Sequence, residues 1–202
     1  HVLYAGARVL GATEDATVSH EGKINGKVLE RAARGVIRKV SVPFSPWDVA
    51  QQEQLESVLK QEPCALLELD MSYASCPVSK DAHPFDGRTL ADLLEPDTGT
   101  LACRRLQILR CGWNGIAGLI PSSIEHCHSL QELALGNNQL TGEIPACIGS
   151  LKLLKRLGLY QNKLSGLIPE TLGELHALEE LALHDNMLSG QVPSAALAKL
   201  VR

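Results

Sequence analysis

Along residues 106–193 the leucines recur at an interval that no helical period explains. Four stretches begin Leu106-Gln-Ile-Leu109, Leu130-Gln-Glu-Leu133, Leu154-Lys-Arg-Leu157 and Leu178-Glu-Glu-Leu181, each starting 24 residues after the one before. Apolar and polar positions alternate within each stretch. Leu133 and Leu135, Leu157 and Leu159, and Leu181 and Leu183 fall on one side, as in a short strand with one buried face. Asn114, Asn138, Asn162 and Asn186 keep the same interval, as do Gly118, Gly142, Gly166 and Gly190, and Pro121, Pro145, Pro169 and Pro193. A segment this short cannot bury its own apolar face. The copies must therefore stack, each position meeting its equivalent in the next rung.

Each conserved column of the repeat has a physical task. The asparagines stand where the chain leaves the strand, and a buried carboxamide there satisfies backbone groups that have lost a strand partner. Glycine then supplies unusual backbone angles and proline a fixed φ on the return path. The order L-x-x-L-x-L-x-x-N-x-L at a fixed period is the signature of a leucine-rich repeat. The strings GNNQLTGEIPACIGSL (136–151) and YQNKLSGLIPETLGEL (160–175) resemble the plant-type subfamily, common in the ectodomains of plant receptor-like kinases. The resemblance covers residues 104–196. It implies a non-enzymatic binding scaffold, with nothing catalytic in the motif.

Upstream the pattern returns less regularly. Ile37-Arg-Lys-Val40-Ser-Val42 and Leu66-Leu-Glu-Leu69-Asp-Met71 repeat the strand signature 29 residues apart. Helices are predicted between and around them. One covers 26–34, with Asn25 as cap, Val28, Leu29 and Ala32 on one side and Gly35 at its end. One starts at Ser45-Pro46 with Asp48 three residues on, and Leu55, Val58 and Leu59 form its apolar face. A third covers 88–94 through Leu90, Leu93 and Leu94. Residues 74–87 read as an inserted loop and Asp97-Thr-Gly-Thr as a turn. This strand–helix spacing resembles the longer repeats of the ribonuclease-inhibitor type.

The expected organisation is an N-terminal helical or irregular segment (1–35), irregular strand–helix repeats (36–105) and four plant-type repeats (106–202). The alternative for the first half is a small α/β domain packed on the first repeat. The fold class is an α/β leucine-rich-repeat solenoid, with a concave sheet of short parallel strands and helices on the convex side of the first half. In the last copy Leu197 and Leu200 fall one residue late relative to Leu172 and Leu175, and no polar capping repeat follows. An open solenoid end exposes its core, so a covering partner or a longer chain is expected there.

Composition narrows the function classes. Aromatics make up 3% of the chain and the net charge is −4. The first hundred residues hold 15 acids and 10 bases and the remainder 8 and 9, so neither half offers the basic field that nucleic acid needs. No apolar run approaches the ~18 residues of a membrane span. Of six cysteines, Cys111 occupies a strand position otherwise held by leucine and Cys127 a core position shared with Leu151 and Leu175. Both read as small buried hydrophobes. Cys103 precedes Cys127 by one period, and stacked thiols are favoured there over a bridge. Cys64 and Cys76 are a second conceivable pair. Secreted relatives of the plant-type subfamily usually carry glycosylation sequons and this chain has none, which favours an intracellular or organellar setting.

Candidate chemistry is thin. Gly22-Lys-Ile-Asn-Gly26-Lys27 has one residue too few for a phosphate-binding loop, and Val28 stands where a magnesium-binding hydroxyl is required. His126-Cys127-His128 has metal-ligand residue types, but Cys127 lies on the core column and its neighbours project away from it. Cys111-Gly-Trp-Asn-Gly-Ile116 resembles part of an N-terminal cap of plant receptor ectodomains, yet Asn114 is in phase with the repeat asparagines. No cofactor and no catalytic set is expected.

The concave face remains. Strand residues that alternate with the core leucines project from it in columns: Ile108, Glu132, Arg156 and Glu180; then Arg110, Ala134, Gly158 and Ala182, which form a shallow groove. Beyond these stand Gly112, Gly136, Tyr160 and His184, and finally Trp113, Asn137, Gln161 and Asp185. Trp, Tyr and Arg dominate interface energetics, each contributing ~2 kcal/mol or more when central. The expected partner-binding set is therefore Ile108, Arg110, Trp113, Glu132, Asn137, Arg156, Tyr160, Gln161, Glu180, His184 and Asp185, with a protein or peptide as partner. A ligand-sensing ectodomain fragment is the alternative function.

Overall fold

The computed structural model describes residues 15–17, 39–41, 67–72, 94 and 102–194, with backbone alone for 15–17, 41, 102 and 103. The helices expected at 26–34 and from Ser45, the loop 74–87, the turn at Asp97, the glycine-rich stretch 22–27 and the late leucines at 197 and 200 lie outside these residues. So do the division at residue 35 and the choice between solenoid repeats and a separate domain for the first half. Of the third helix, Leu94 is described; it is helical and buried.

Every repeat delivers one three-residue strand to a single parallel sheet. The strands are β1 (Asp15–Thr17), β2 (Lys39–Ser41), β3 (Glu68–Asp70), β4 (Ile108–Arg110), β6 (Glu132–Ala134), β8 (Arg156–Gly158) and β10 (Glu180–Ala182), paired in that order. The central leucine of each lies opposite the next: Val40, Leu69, Leu109, Leu133, Leu157 and Leu181 are in register. All are fully buried except Leu181, which is half-buried. The two upstream strand signatures therefore continue the sheet of the regular repeats. β3 is tied to β4 by further backbone bonds, including Met71 N–H to Arg110 O at 2.7 Å.

A second parallel sheet, not anticipated from the sequence, runs along the flank. It comprises β5 (Ala117–Gly118), β7 (Gln139–Gly142), β9 (Lys163–Leu167) and β11 (Met187–Ser189). Leu140 and Leu164 turn their side chains into the core from it. Gly118, Gly142, Gly166 and Gly190 all adopt φ between +75° and +83°, and a Cβ at Gly142 would stand against the Leu119 side chain. That column therefore excludes side chains on two grounds.

The return path in the C-terminal half is too short for an α-helix. After Pro121, Pro145 and Pro169, each with extended backbone, the chain makes a single 3₁₀ turn (Ser122–His126, Ala146–Ser150, Glu170–Glu174). These turns bury Ile124, Ile148 and Leu172 on the underside of the sheet. Cys111 and Cys127 are fully buried, as their columns require, and Cys127 is an unbridged thiol. The side chain of Cys103, and Cys64 and Cys76, lie outside the described residues.

Candidate functional site

The asparagine column fixes where the concave surface ends. Asn138 Nδ2 donates to Leu135 O (2.8 Å) in its own rung and to Cys111 O (2.9 Å) in the preceding one. Its Oδ1 accepts from Asn114 N–H and Ile116 N–H, both at 3.0 Å. Asn162 and Asn186 repeat this one and two rungs later, and Asn114 reaches Met71 O at 2.9 Å. Four carboxamides thus close the turns of the stack. The residue before each of them pivots in the left-handed region: Trp113 (φ +62°), Asn137 (+57°), Gln161 (+51°) and Asp185 (+57°). These form the rim of the concave face. Non-glycine residues seldom adopt this conformation, and of the four only Asn137 and Asp185 are types that tolerate it readily. Trp113 is 44% exposed. Asn137 is half-buried, and its Nδ2 has no hydrogen-bond partner among the described residues.

The concave columns stand as the repeat register dictates, with Ile108, Glu132, Arg156 and Glu180 in line. The line extends upstream to Glu68 and Lys39, and the neighbouring line of Arg110 extends to Asp70. These three charged residues were absent from the expected set, although the strand signatures at 37–42 and 66–71 place them there.

Charge pairing dominates this surface. Glu132 is buried and held from both sides. Arg110 reaches it through Nε and Nη2 (the latter at 2.8 Å) and Arg156 through Nε (3.0 Å) and Nη2. Arg110 also faces Asp70 at 3.6 Å, and Lys39 pairs with Glu68 at 2.8 Å. Burial pushes the Glu132 carboxyl up, but the hydrogen bonds from Arg110 and Arg156 outweigh it and hold it below the usual carboxylate value. Those bonds in turn push both guanidiniums up.

Tyr160 and His184 form the second feature. Their rings stack with centroids 5.1 Å apart and planes 14° from parallel. The stack leans over Gly136, where a Cβ would lie 2.5 Å from the Tyr160 ring. Glycine at 136 is thus a shelf on which the tyrosine lies flat. Gln161 and Asp185 are exposed on the rim beside it.

Elsewhere chemistry is sparse. His126 and His128 meet edge to face at 6.4 Å, on either side of the buried Cys127. No group of three metal-ligating side chains occurs among the described residues, and no helix among them is long and apolar enough to cross a membrane.

Residues 129–188 match the family described as leucine rich repeat. No curated protein matches the chain. Among solved structures, the LRR ectodomain of the plant membrane receptor kinase GASSHO1/SCHENGEN3 from Arabidopsis thaliana, in complex with Casparian strip integrity factor 2, is 27% identical. It aligns over 88% of this chain and 18% of its own, with a TM-score of 0.55. The Arabidopsis receptor kinase HAESA, in complex with the peptide hormone IDA and the co-receptor SERK1, is 24% identical over 84% of this chain and 25% of its own (TM-score 0.57), and shares the fold. The BIR3–SERK2 complex from Arabidopsis thaliana is 45% identical over 46% of this chain and 50% of its own, with a TM-score of 0.45. The chain spans no more than half the length of these structures. Repeat motif, register and fold together make the described repeats plant-type leucine-rich repeats.

Proposed function

We propose that this plant-type leucine-rich-repeat protein is a non-enzymatic recognition module that takes a protein or peptide on its concave face. The observation that carries the reading is the preorganisation of that face. Register fixes the backbone, the Arg110–Glu132–Arg156 clamp fixes the charged row, and the Gly136 shelf fixes the Tyr160–His184 stack. A surface whose side chains are already ordered loses less entropy on binding. The trough of Ala134, Gly158 and Ala182 leaves room for an extended chain along it.

Trp113, Tyr160 and Arg156 are the anchors on this reading, and Ile108, Asn137 and Gln161 complete its floor and rim. In one form of it the module is a structural subunit of a larger assembly. The test is affinity capture from the source's own extract, with wild type beside a Trp113→Ala/Tyr160→Ala double variant of unchanged melting temperature. A partner that binds wild type and is lost from the variant supports the concave face. A partner retained by both moves the contact elsewhere and overturns it.

A second reading, a ligand-sensing ectodomain segment, is favoured by the alignment of 88% of this chain with a receptor-kinase ectodomain solved with its factor. Recovery of the chain in a secreted fraction, identified there by mass spectrometry, would support it.

A further inference from the structure

The asparagine ladder differs at its first step in the residue that follows. Asn138, Asn162 and Asn186 precede Gln139, Lys163 and Met187, whereas Asn114 precedes Gly115. An asparagine before glycine carries a latent reaction. The backbone nitrogen of the next residue attacks the side-chain carbonyl carbon, and glycine, having no Cβ, leaves that nitrogen unhindered. A new C–N bond closes a five-membered imide as the Cγ–Nδ2 bond breaks, and ammonia leaves with the proton taken from the glycine nitrogen. Water then opens the imide at either carbonyl, giving aspartate or isoaspartate. The chain's other Asn-Gly pair, Asn25–Gly26, lies outside the described residues.

The fold restrains one reactant and leaves the other. Asn114 is fully buried, and its Nδ2 donates to Met71 O at 2.9 Å, across the joint between β3 and β4. Its own N–H and that of Ile116 both donate to Asn138 Oδ1 at 3.0 Å. The Gly115 N–H between them makes no hydrogen bond among the described residues. The carboxamide is therefore the part that is locked. To meet the Gly115 nitrogen it must leave Met71 O, and water must reach a buried site. Both happen when β3 parts from the rung that follows it, a local opening that costs less than unfolding the whole chain.

The product cannot restore the joint. Aspartate has no N–H to give Met71 O, and it sets a buried carboxylate oxygen against that carbonyl, which is costly. Isoaspartate also lengthens the main chain by a methylene, inside a turn whose equivalents recur every 24 residues. We propose that Asn114–Gly115 is a deamidation site gated by the β3–β4 joint: it reacts when the joint opens, and its reaction then keeps the joint open. A reversible fluctuation is thereby recorded as a permanent separation of the upstream strands from the regular repeats.

The test holds the full chain in mildly alkaline buffer at a series of urea concentrations below its unfolding transition. A capped peptide of residues 112–118 is kept in the same solutions. Conversion at each asparagine is read by mass spectrometry of a digest. Asn114 should convert at least about a hundredfold more slowly in the folded chain than in the peptide, and urea should speed it while Asn138, Asn162 and Asn186 stay intact. Conversion of folded Asn114 at the peptide's rate overturns the gate, as does a rate that urea leaves unchanged or a peptide that does not convert. Asn114→Asp supplies the product directly. In this variant hydrogen exchange at Met71 and Gln107, whose amides cross the joint, should quicken at least about tenfold, while the Leu135 and Leu159 amides keep their wild-type rates. Unchanged exchange at Met71 and Gln107, or equal quickening at all four, overturns the latch. If the variant does not fold, the same exchange is read on wild type converted in urea and returned to native buffer.

Discussion

Asn138 is the sharpest place to test how the stack is held. It is buried, and its carboxamide makes four hydrogen bonds of 2.8–3.0 Å to backbone groups of two rungs. Asn138→Ala removes all four, while Leu135 O keeps the bond that Asn162 Nδ2 donates to it. Each buried unsatisfied group costs roughly 1–3 kcal/mol. Taking about 1 kcal/mol for each of the four lost bonds, because water can enter beside a shortened side chain, gives about 4 kcal/mol. That is a large share of the ~5–15 kcal/mol that usually separates folded from unfolded chains. Asn138→Asp is the control for volume. It keeps the two acceptor bonds but turns a carboxylate oxygen toward Leu135 O and Cys111 O, so it should cost at least as much as alanine. Asn186→Ala, on a half-exposed carboxamide with three such bonds, should cost about half as much. Urea unfolding followed by far-ultraviolet circular dichroism measures all three. A loss under about 1 kcal/mol for Asn138→Ala, or an aspartate variant more stable than the alanine one, would refute the ladder as the source of the stability.

Other consequences are simpler to check. Gly136→Ala places a methyl group 2.5 Å from the Tyr160 ring, so it should cost about 1–2 kcal/mol by overpacking and abolish the ring-current shift that His184 receives from Tyr160, as read by NMR. Glu132→Gln should flatten the acid limb of the stability profile. The folded carboxyl is held below its ordinary value, so its contribution is present above the unfolded value of about 4.3 and fades as pH falls through the folded one. Denaturant midpoints of wild type and variant between pH 6 and pH 3 should therefore converge. Gln161→Asn, which puts at φ +51° the residue type already used at 137, should stabilise by about 0.5 kcal/mol in the same assay.

Much of this architecture is legible in the letters because a repeat converts sequence interval into spatial contact. Once Leu133 and Leu157 are 24 residues apart in one pattern, their pairing follows, and with it the columns of Glu132, Arg156 and Glu180. Register names neighbours without saying which way their side chains lean. That is why the double hold on Glu132 and the fold of Tyr160 over Gly136 escaped the sequence reading. Both depend on rotamers chosen by the adjacent rung. The flanking sheet escaped for another reason. Its strands run two to five residues, too short for an alternation to stand out from the turn residues around them. The left-handed rim was hidden because Trp113 and Gln161 are not residue types that favour that conformation. The asparagine that follows them forces the turn.

The asparagine ladder has a direction, and that direction matters when the molecule is pulled. Each carboxamide serves the turn of the rung before it: Asn162 holds Leu140 N–H and Leu135 O, and Asn186 holds Leu164 N–H and Leu159 O. Peeling the 186 rung away strips the 162 rung of its latch, and the fault then passes upstream. Under tension between its ends, the regular stack should come apart from the C-terminal side in packets of one repeat. Each packet would lengthen the chain by roughly 80 Å, the contour of 24 residues. The repeat would then act as a ratchet of equal steps, its latches facing one way.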